Sequence, residues 1–199
     1  KNIKKKPMWK KSPPKLSIKQ NLLLEKLKLF YENKSHMKQL LEIINSTSKI
    51  SLRIIDWFVT NYSKKNNTSF TIHDPDKKIF KQFIVYLNYK LQLKAYSKKQ
   101  FDPFCRRERI AFYYIKNGEN QCIHTTVGQL NFFRWAIGSK IIDYIQKNLD
   151  IIENDMNYIQ KSVYTTEKTA GSRRKRKELS KSATKTINKH NVKIVLEFT

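Results

Sequence analysis

Positive charge and apolar residues occupy different stretches of this 199-residue chain, and that separation confines any packed core to its middle. Residues 1–15 hold seven Lys and no acid, with Lys4, Lys5 and Lys6 in one run. Residues 161–191 hold ten Lys or Arg against Glu167 and Glu178, with Arg173, Arg174, Lys175, Arg176 and Lys177 in one block. Together these stretches carry more than half of the +25 formal net charge. Neither has the apolar area to offset the entropy of ordering its own backbone, so both are expected to be flexible basic arms that order only against a polyanion. What lies between, residues 16–160, has the length of one globular domain. The closing segment, 192–199, reads as a strand returning to it. With 39% hydrophobic and 12% aromatic residues, the middle is too apolar to stay unfolded.

The number of lysines alone is a poor witness, because Lys, Asn, Ile, Tyr and Phe are abundant together in the way an AT-rich genome writes protein. Arginine is more informative. Only eight Arg occur, yet Arg106, Arg107 and Arg109 form one cluster and Arg173, Arg174 and Arg176 another. The planar guanidinium suits bidentate contact with phosphate. Nucleic acid is therefore the expected partner, DNA ahead of RNA, since each phosphate neutralised by a cation releases condensed counterions and adds affinity independent of base sequence. Two cysteines, Cys105 and Cys122, are too few for a disulfide framework and favour a reducing setting. No run approaches the ~18 apolar residues of a membrane span, and the opening Lys-Asn-Ile-Lys-Lys-Lys has no secretory leader's apolar stretch. The block 173–177 also suits nuclear import.

Pro13-Pro14 closes the first arm, and Ser17 with Gln20 has the spacing of a capping box, which predicts a helix burying Leu23, Leu27, Phe30 and Tyr31. A second helix is predicted after Ser35, with Met37, Leu40, Leu41 and Ile44, and a third over residues 50–62, with Ile54, Trp57 and Phe58 inward. Residues 79–94 admit two readings. Val85, Leu87, Tyr89, Leu91 and Leu93 alternate as in a strand, which is the preferred reading. Against it, Asp74-Pro75 resembles a helix N-cap, and Phe80, Phe83, Ile84, Leu87 and Leu91 fit a 3.6 period. Residues 109–125 read as a hairpin around Asn117-Gly118, and one or two further strands are expected beside it, because a lone hairpin is marginal. Thr126 and Gln129 repeat the capping spacing before a helix with Leu130, Phe133 and Ile137, which Gly138 breaks or bends. A last helix carries Ile141, Ile145, Leu149, Ile152 and Met156, with Asp143, Asp150, Glu153 and Asp155 on other faces. The expected fold class is α+β: an N-terminal three-helix lobe, a small antiparallel sheet, then C-terminal helices.

Phe101-Asp-Pro-Phe-Cys-Arg-Arg-Glu-Arg109 puts three guanidinium groups at the hairpin entrance beside aromatic rings, the makings of a phosphate clamp. The same arginines could equally pair with Asp102, Glu108 or the acidic last helix. Arg134 and Lys140 either extend that basic face or are solvated surface. Thr125, Thr126 and the amides of Val127 and Gly128 stand at the positive end of a helix, where capping is preferred over phosphate binding. The second and third helices, joined by residues 45–49, offer Arg53, Asn61, Lys64 and Lys65 as a helix-turn-helix, but the turn has no Gly and the third helix carries core-like Trp57 and Phe58. Cys105, Cys122, His124 and His73 match no zinc spacing, and alternation packs Cys122 and His124 on one strand face. Pro75-Asp76 opens a metal-nuclease pattern that no acidic-x-Lys completes, and four Gly leave no phosphate-cradling loop. No catalytic set, cofactor or metal is expected.

Four segments carry a further signal: Ile55-Asp-Trp-Phe-Val-Thr-Asn-Tyr-Ser63, the stretch from Gln92 to Ile110 with its Phe-Asp-Pro-Phe-Cys-Arg-Arg-Glu-Arg, Thr125-Thr-Val-Gly-Gln-Leu-Asn-Phe-Phe-Arg-Trp-Ala-Ile137, and Arg174-Lys-Arg-Lys-Glu-Leu-Ser-Lys-Ser-Ala-Thr184. They resemble an uncharacterised family of proteins from nucleocytoplasmic large DNA viruses, the giant algal and amoebal viruses. The likeness covers most of residues 50–190 and brings no catalytic residues with it. It implies a source and a setting, in the virion or in an infected cell's nucleus or viral factory. The expected function is that of a non-enzymatic viral nucleic-acid-binding protein, in genome packaging or as a transcription accessory factor. The alternative is a structural virion protein, a minor capsid or core component whose arms meet acidic protein surfaces.

Overall fold

Ser17 opens the fold as its spacing predicts: its Oγ accepts from the Gln20 amide at 3.3 Å, and its own amide donates to Gln20 Oε1 at 3.0 Å. Helix α1 (Ile18–Tyr31) follows, burying Leu23, Leu27 and Tyr31. A computed structural model describes residues 15–74, 79–116 and 118–166 of the chain. Asn33 caps α2 (Lys34–Ile44) and Ser51 caps α3 (Leu52–Trp57). The latter passes without a break through a π-helical turn (Phe58–Tyr62) into α4 (Ser63–Lys65). All residues from 54 to 60 are buried. A helix covered on every side is the centre of a core rather than one wall of it. Inside the wider turn, Thr60 Oγ1 donates to the Asp56 carbonyl at 2.6 Å and Ser63 Oγ to the Val59 carbonyl at 3.1 Å.

Residues 69–95 depart from both sequence readings. Strands β1 (Ser69–Asp74) and β2 (Ile79–Ile84) pair antiparallel with Phe70 opposite Phe83, and α5 (Val85–Ala95) starts at the next residue. The strand preferred over residues 85–93 is thus a helix, and Asp74 ends a strand instead of capping a helix. The reason is a spacing. Val85 and Tyr89 are the buried pair, four residues apart, a separation that satisfies both a period of two and one helical turn. Leu87 and Leu91, which a strand would have buried beside them, are 52% and 50% exposed.

The predicted hairpin is present as β3 (Ile110–Lys116) and β4 (Glu119–Thr125), with Tyr113 opposite Cys122. The further strands expected beside it do not occur among the described residues, where β1–β2 and β3–β4 are separate two-stranded sheets. Helices take the place of the missing strands: buried Phe112 meets Tyr31 of α1 edge-on at 5.8 Å, while Phe70 stacks on Tyr144 at 5.2 Å. Tyr144 belongs to α7 (Ile141–Lys147), which follows α6 (Val127–Gly138). The single last helix of the sequence reading is two, since Asn148 ends α7 before α8 (Leu149–Thr166) begins, and α8 runs on into the segment assigned to the second arm. The fold is mixed α+β, with the buried faces of α3 and α6 in its core, and Phe132 and Trp135 of α6 form an aromatic cluster with Tyr89 and Phe101. The remainder of both basic segments and the strand expected over 192–199 lie outside the described residues.

One residue runs against this apolar centre. Asp56 is fully buried, and neither carboxylate oxygen has a hydrogen-bond partner among the described residues. Burial pushes its carboxyl from the ordinary 3.8 up to about 7, with Asp102 pushing the same way. The sign follows from linkage. Below pH 3.8 both states hold the proton; as pH rises from there to about 7 the unfolded chain releases it first, so stability falls until the full penalty is reached above the folded value. Denaturant melts between pH 4 and 8 are expected to lose a few kcal/mol to this group, and Asp56→Asn should flatten the dependence. An equally steep profile in the variant would refute the assignment.

Candidate nucleic-acid interface

Loop 96–109 joins α5 to β3 and carries the arginine cluster, and its position is set by how it lies on the start of α6. Phe101 is 2% exposed within the aromatic cluster, and Pro103 beside it is buried. The Asp102 amide donates to the Gly128 carbonyl at 3.3 Å. Gln129 Nε2 donates to the Pro103 carbonyl and Asn131 Nδ2 to the Gln100 carbonyl, each at 2.9 Å. A Cβ on Gly128 would stand 2.9 Å from the Lys99 carbonyl oxygen, closer than packing permits. Gly128 therefore serves close approach of two backbones. Thr126 Oγ1 accepts from the Gln129 amide at 3.1 Å, and Thr125 and Thr126 are both buried. Capping and the docked loop thus take up the α6 N-terminus, and phosphate has no access to it.

The outward half of the loop is basic. Glu108 adopts a left-handed backbone (φ 56°) and accepts from Lys99 Nζ at 2.7 Å and from Gln20 Nε2 at 3.0 Å. The Lys99 hydrogen bond, then that from Gln20, holds its carboxyl below the usual glutamate range. With the glutamate turned to Lys99 and α1, Arg106, Arg107 and Arg109 are exposed and form no ion pair among the described residues. The pairing with the acidic helix that the sequence left open is not made: Asp155 accepts instead from Trp57 Nε1 at 3.1 Å and Lys65 Nζ at 2.6 Å. Phe104 is 40% and Tyr113 72% exposed, the latter on the outward face of the strand that begins just after Arg109.

The other candidates fall elsewhere. Arg134 is half-buried, with Nε donating to Asn131 Oδ1 at 3.1 Å, and its charge partly counters the burial that pushes the Tyr31 phenol upward. Lys140 lies past the far end of the 12-residue α6, about 18 Å of helix from the docked loop, and pairs with Asp143 at 3.7 Å. Lys4, Lys5, Lys6, Arg173, Arg174, Lys175, Arg176 and Lys177 lie outside the described residues. The helix-turn-helix reading fails because α3 is core: Arg53 bonds Gln160, Lys65 bonds Asp155, and Asn61 bonds Thr60 Oγ1 at 2.8 Å. Cys122 and His124 share a face as expected, but it is exposed rather than packed. No group of three His, Cys, Asp or Glu that could hold a metal occurs among the described residues. No helix of the described residues is long and apolar enough to cross a membrane. The sequence reading passed over the convergence of Lys64 and Lys90 on Tyr86, because a strand over residues 85–93 does not bring Lys90 back to the face of Tyr86 that Lys64 meets.

Residues 5–173 match the model of a family of unknown function, DUF7197. The chain belongs to DUF7197. "Uncharacterized protein L507" of Acanthamoeba polyphaga mimivirus is 44% identical over 149 residues, covering 73% of this chain and 57% of that protein. The chain thus spans less than two thirds of that relative's length, and the likeness to giant-virus proteins read from the four segments holds. No solved structure matches.

For this DUF7197 chain the Gly128 contact gives a direct test. Gly128→Ala forces the loop backbone away from α6 and is expected to cost ~1–3 kcal/mol, seen as a lower thermal midpoint together with faster tryptic cleavage at Arg106 and Arg107. An unchanged midpoint would show that the two backbones are not in close contact.

Proposed function

We propose that this chain is a non-enzymatic viral protein that binds the phosphate backbone of nucleic acid, DNA in preference to RNA. Its setting is genome packaging or accessory transcription, in the virion or the infected cell. The observation that carries this reading is the arginine loop, three exposed guanidinium groups without an ion pair among the described residues while the glutamate among them is turned to Lys99 and Gln20. Like charges carried on neighbouring residues repel one another, and an external polyanion offsets the repulsion. The loop is anchored by buried Phe101 and by Gln129 and Asn131, so little backbone freedom remains to be lost on binding. Phe104 and Tyr113 add exposed aromatic faces on which unpaired bases can stack. The basic terminal segments add charge that acts without base preference.

Fluorescence anisotropy with labelled duplex and single-stranded oligonucleotides tests the reading. Affinity for duplex is expected to fall ~10³-fold or more between 50 and 200 mM salt, as for six or more phosphate contacts. Replacing Arg106, Arg107 and Arg109 by Gln should lower the slope of log K against log salt by about 2.7, alike for unrelated sequences. Absence of binding to either oligonucleotide at low salt, with retention on a capsid or core protein, would replace this reading with a structural role in the particle.

A further inference from the structure

A second basic face lies on α4 and α5, made by side chains far apart in sequence. Tyr86, Lys90 and Lys94 follow one another at four-residue intervals along α5, and Lys64 reaches the same place from α4. The Lys64 ammonium stands 5.7 Å from the centre of the Tyr86 ring and that of Lys90 6.0 Å from it. Neither α4 nor α5 contains an acidic residue, and neither Lys64 nor Lys94 forms an ion pair among the described residues. Lys65, next in sequence to Lys64, is by contrast held by Asp155. Partial burial, then the charges of Lys64 and Lys94, hold the Lys90 ammonium below the ordinary lysine range. The three cations are therefore close enough to feel one another, and like charges one turn apart destabilise a helix. Composition explains why lysines are common here, but not why Lys64 and Lys90 meet over one ring, with Lys94 one turn further along α5 and no acidic residue on either helix.

We infer that the face formed by Lys64, Tyr86, Lys90 and Lys94 is a second phosphate-binding surface on the folded domain, taking the sugar–phosphate backbone of the same nucleic acid as the arginine loop. The inference rests on the proposed function but adds a site outside both the loop and the basic terminal segments. Lysine acts here as a flexible point charge, so the face contributes affinity without base preference, whereas the arginine loop offers fixed bidentate geometry. Tyr86 holds two of the ammonium groups over its ring and keeps them in the patch.

The test compares three full-length variants by duplex binding across 50–200 mM salt: K64Q/K90Q/K94Q, K64R/K90R/K94R and R106Q/R107Q/R109Q. The lysine-to-glutamine variant is expected to lower the log–log salt slope by about 2 to 3 and the affinity at 50 mM at least tenfold, while the lysine-to-arginine variant keeps the parent slope. Circular dichroism melts confirm that each is folded. A parent-like slope in the glutamine variant, with a reduced one in the arginine-loop variant, overturns this second surface and leaves the proposed function standing. Parent-like slopes in both overturn the two together.

Discussion

A missing methyl group at Gly128 lets the backbone of residues 99–102 lie against the first turn of α6, and the placement of the arginine loop hangs on that contact. Two kinds of energy hold it. Burying Phe101 contributes ~1.5–3 kcal/mol, and the hydrogen bonds from Gln129 and Asn131 add about 1 kcal/mol each, so neither kind dominates. The asymmetry lies in their loss. Without those amide donors the Pro103 and Gln100 carbonyls would be left without the partners they have in a part-buried setting, which costs more than the bonds contribute when made. Glu108 then fixes the far end of the loop to α1, and its left-handed backbone sets the turn between Arg107 and Arg109.

What was legible in the sequence was local. Ser17 with Gln20 and Thr126 with Gln129 announce helix starts because donor and acceptor lie within one turn. The Asn-Gly pair announces the β3–β4 hairpin, and the arginine cluster could be read because its members are contiguous. The illegible parts depend on distance or on an ambiguous spacing. Val85 and Tyr89 fit strand and helix alike, so exposure of Leu87 decides, and exposure is a tertiary property. The β1–β2 hairpin was hidden for a related reason, since Asp74-Pro75 serves equally before a helix and at the end of a strand. Glu108 meeting Gln20, and Lys64 meeting Tyr86, join segments that no local pattern relates.

The distribution of charge partners has its own logic. Among the described residues the carboxylates of Glu25, Glu42, Glu108, Asp143 and Asp155 pair with lysines. Arg53 and Arg134 bond to side-chain amides, and the three loop arginines pair with no carboxylate among the described residues. Exposed lysine pairs are worth at most about 1 kcal/mol, so they do little to hold the fold. Their effect is on what remains outside: the acids are taken up by lysines, mostly within one turn or one loop, with Asp155 joining α8 to α4, and the loop arginines, with their bidentate geometry, are left facing solvent.

Asp56 shows how much the apolar centre can tolerate. Ile54, Ile55, Trp57, Phe58 and Val59 surround it in sequence and are all buried, each worth ~1.5–3 kcal/mol, so the helix stays folded despite one carboxyl without a partner among the described residues. Buried as the neutral acid, Asp56 carries a far smaller penalty than as the anion. Since its carboxyl titrates near neutrality, mild acidification favours the folded state through this group. The same change leaves every arginine and lysine charged. Stability and attraction for a polyanion are therefore not in opposition in this chain: the condition that relieves the core preserves the cationic surface.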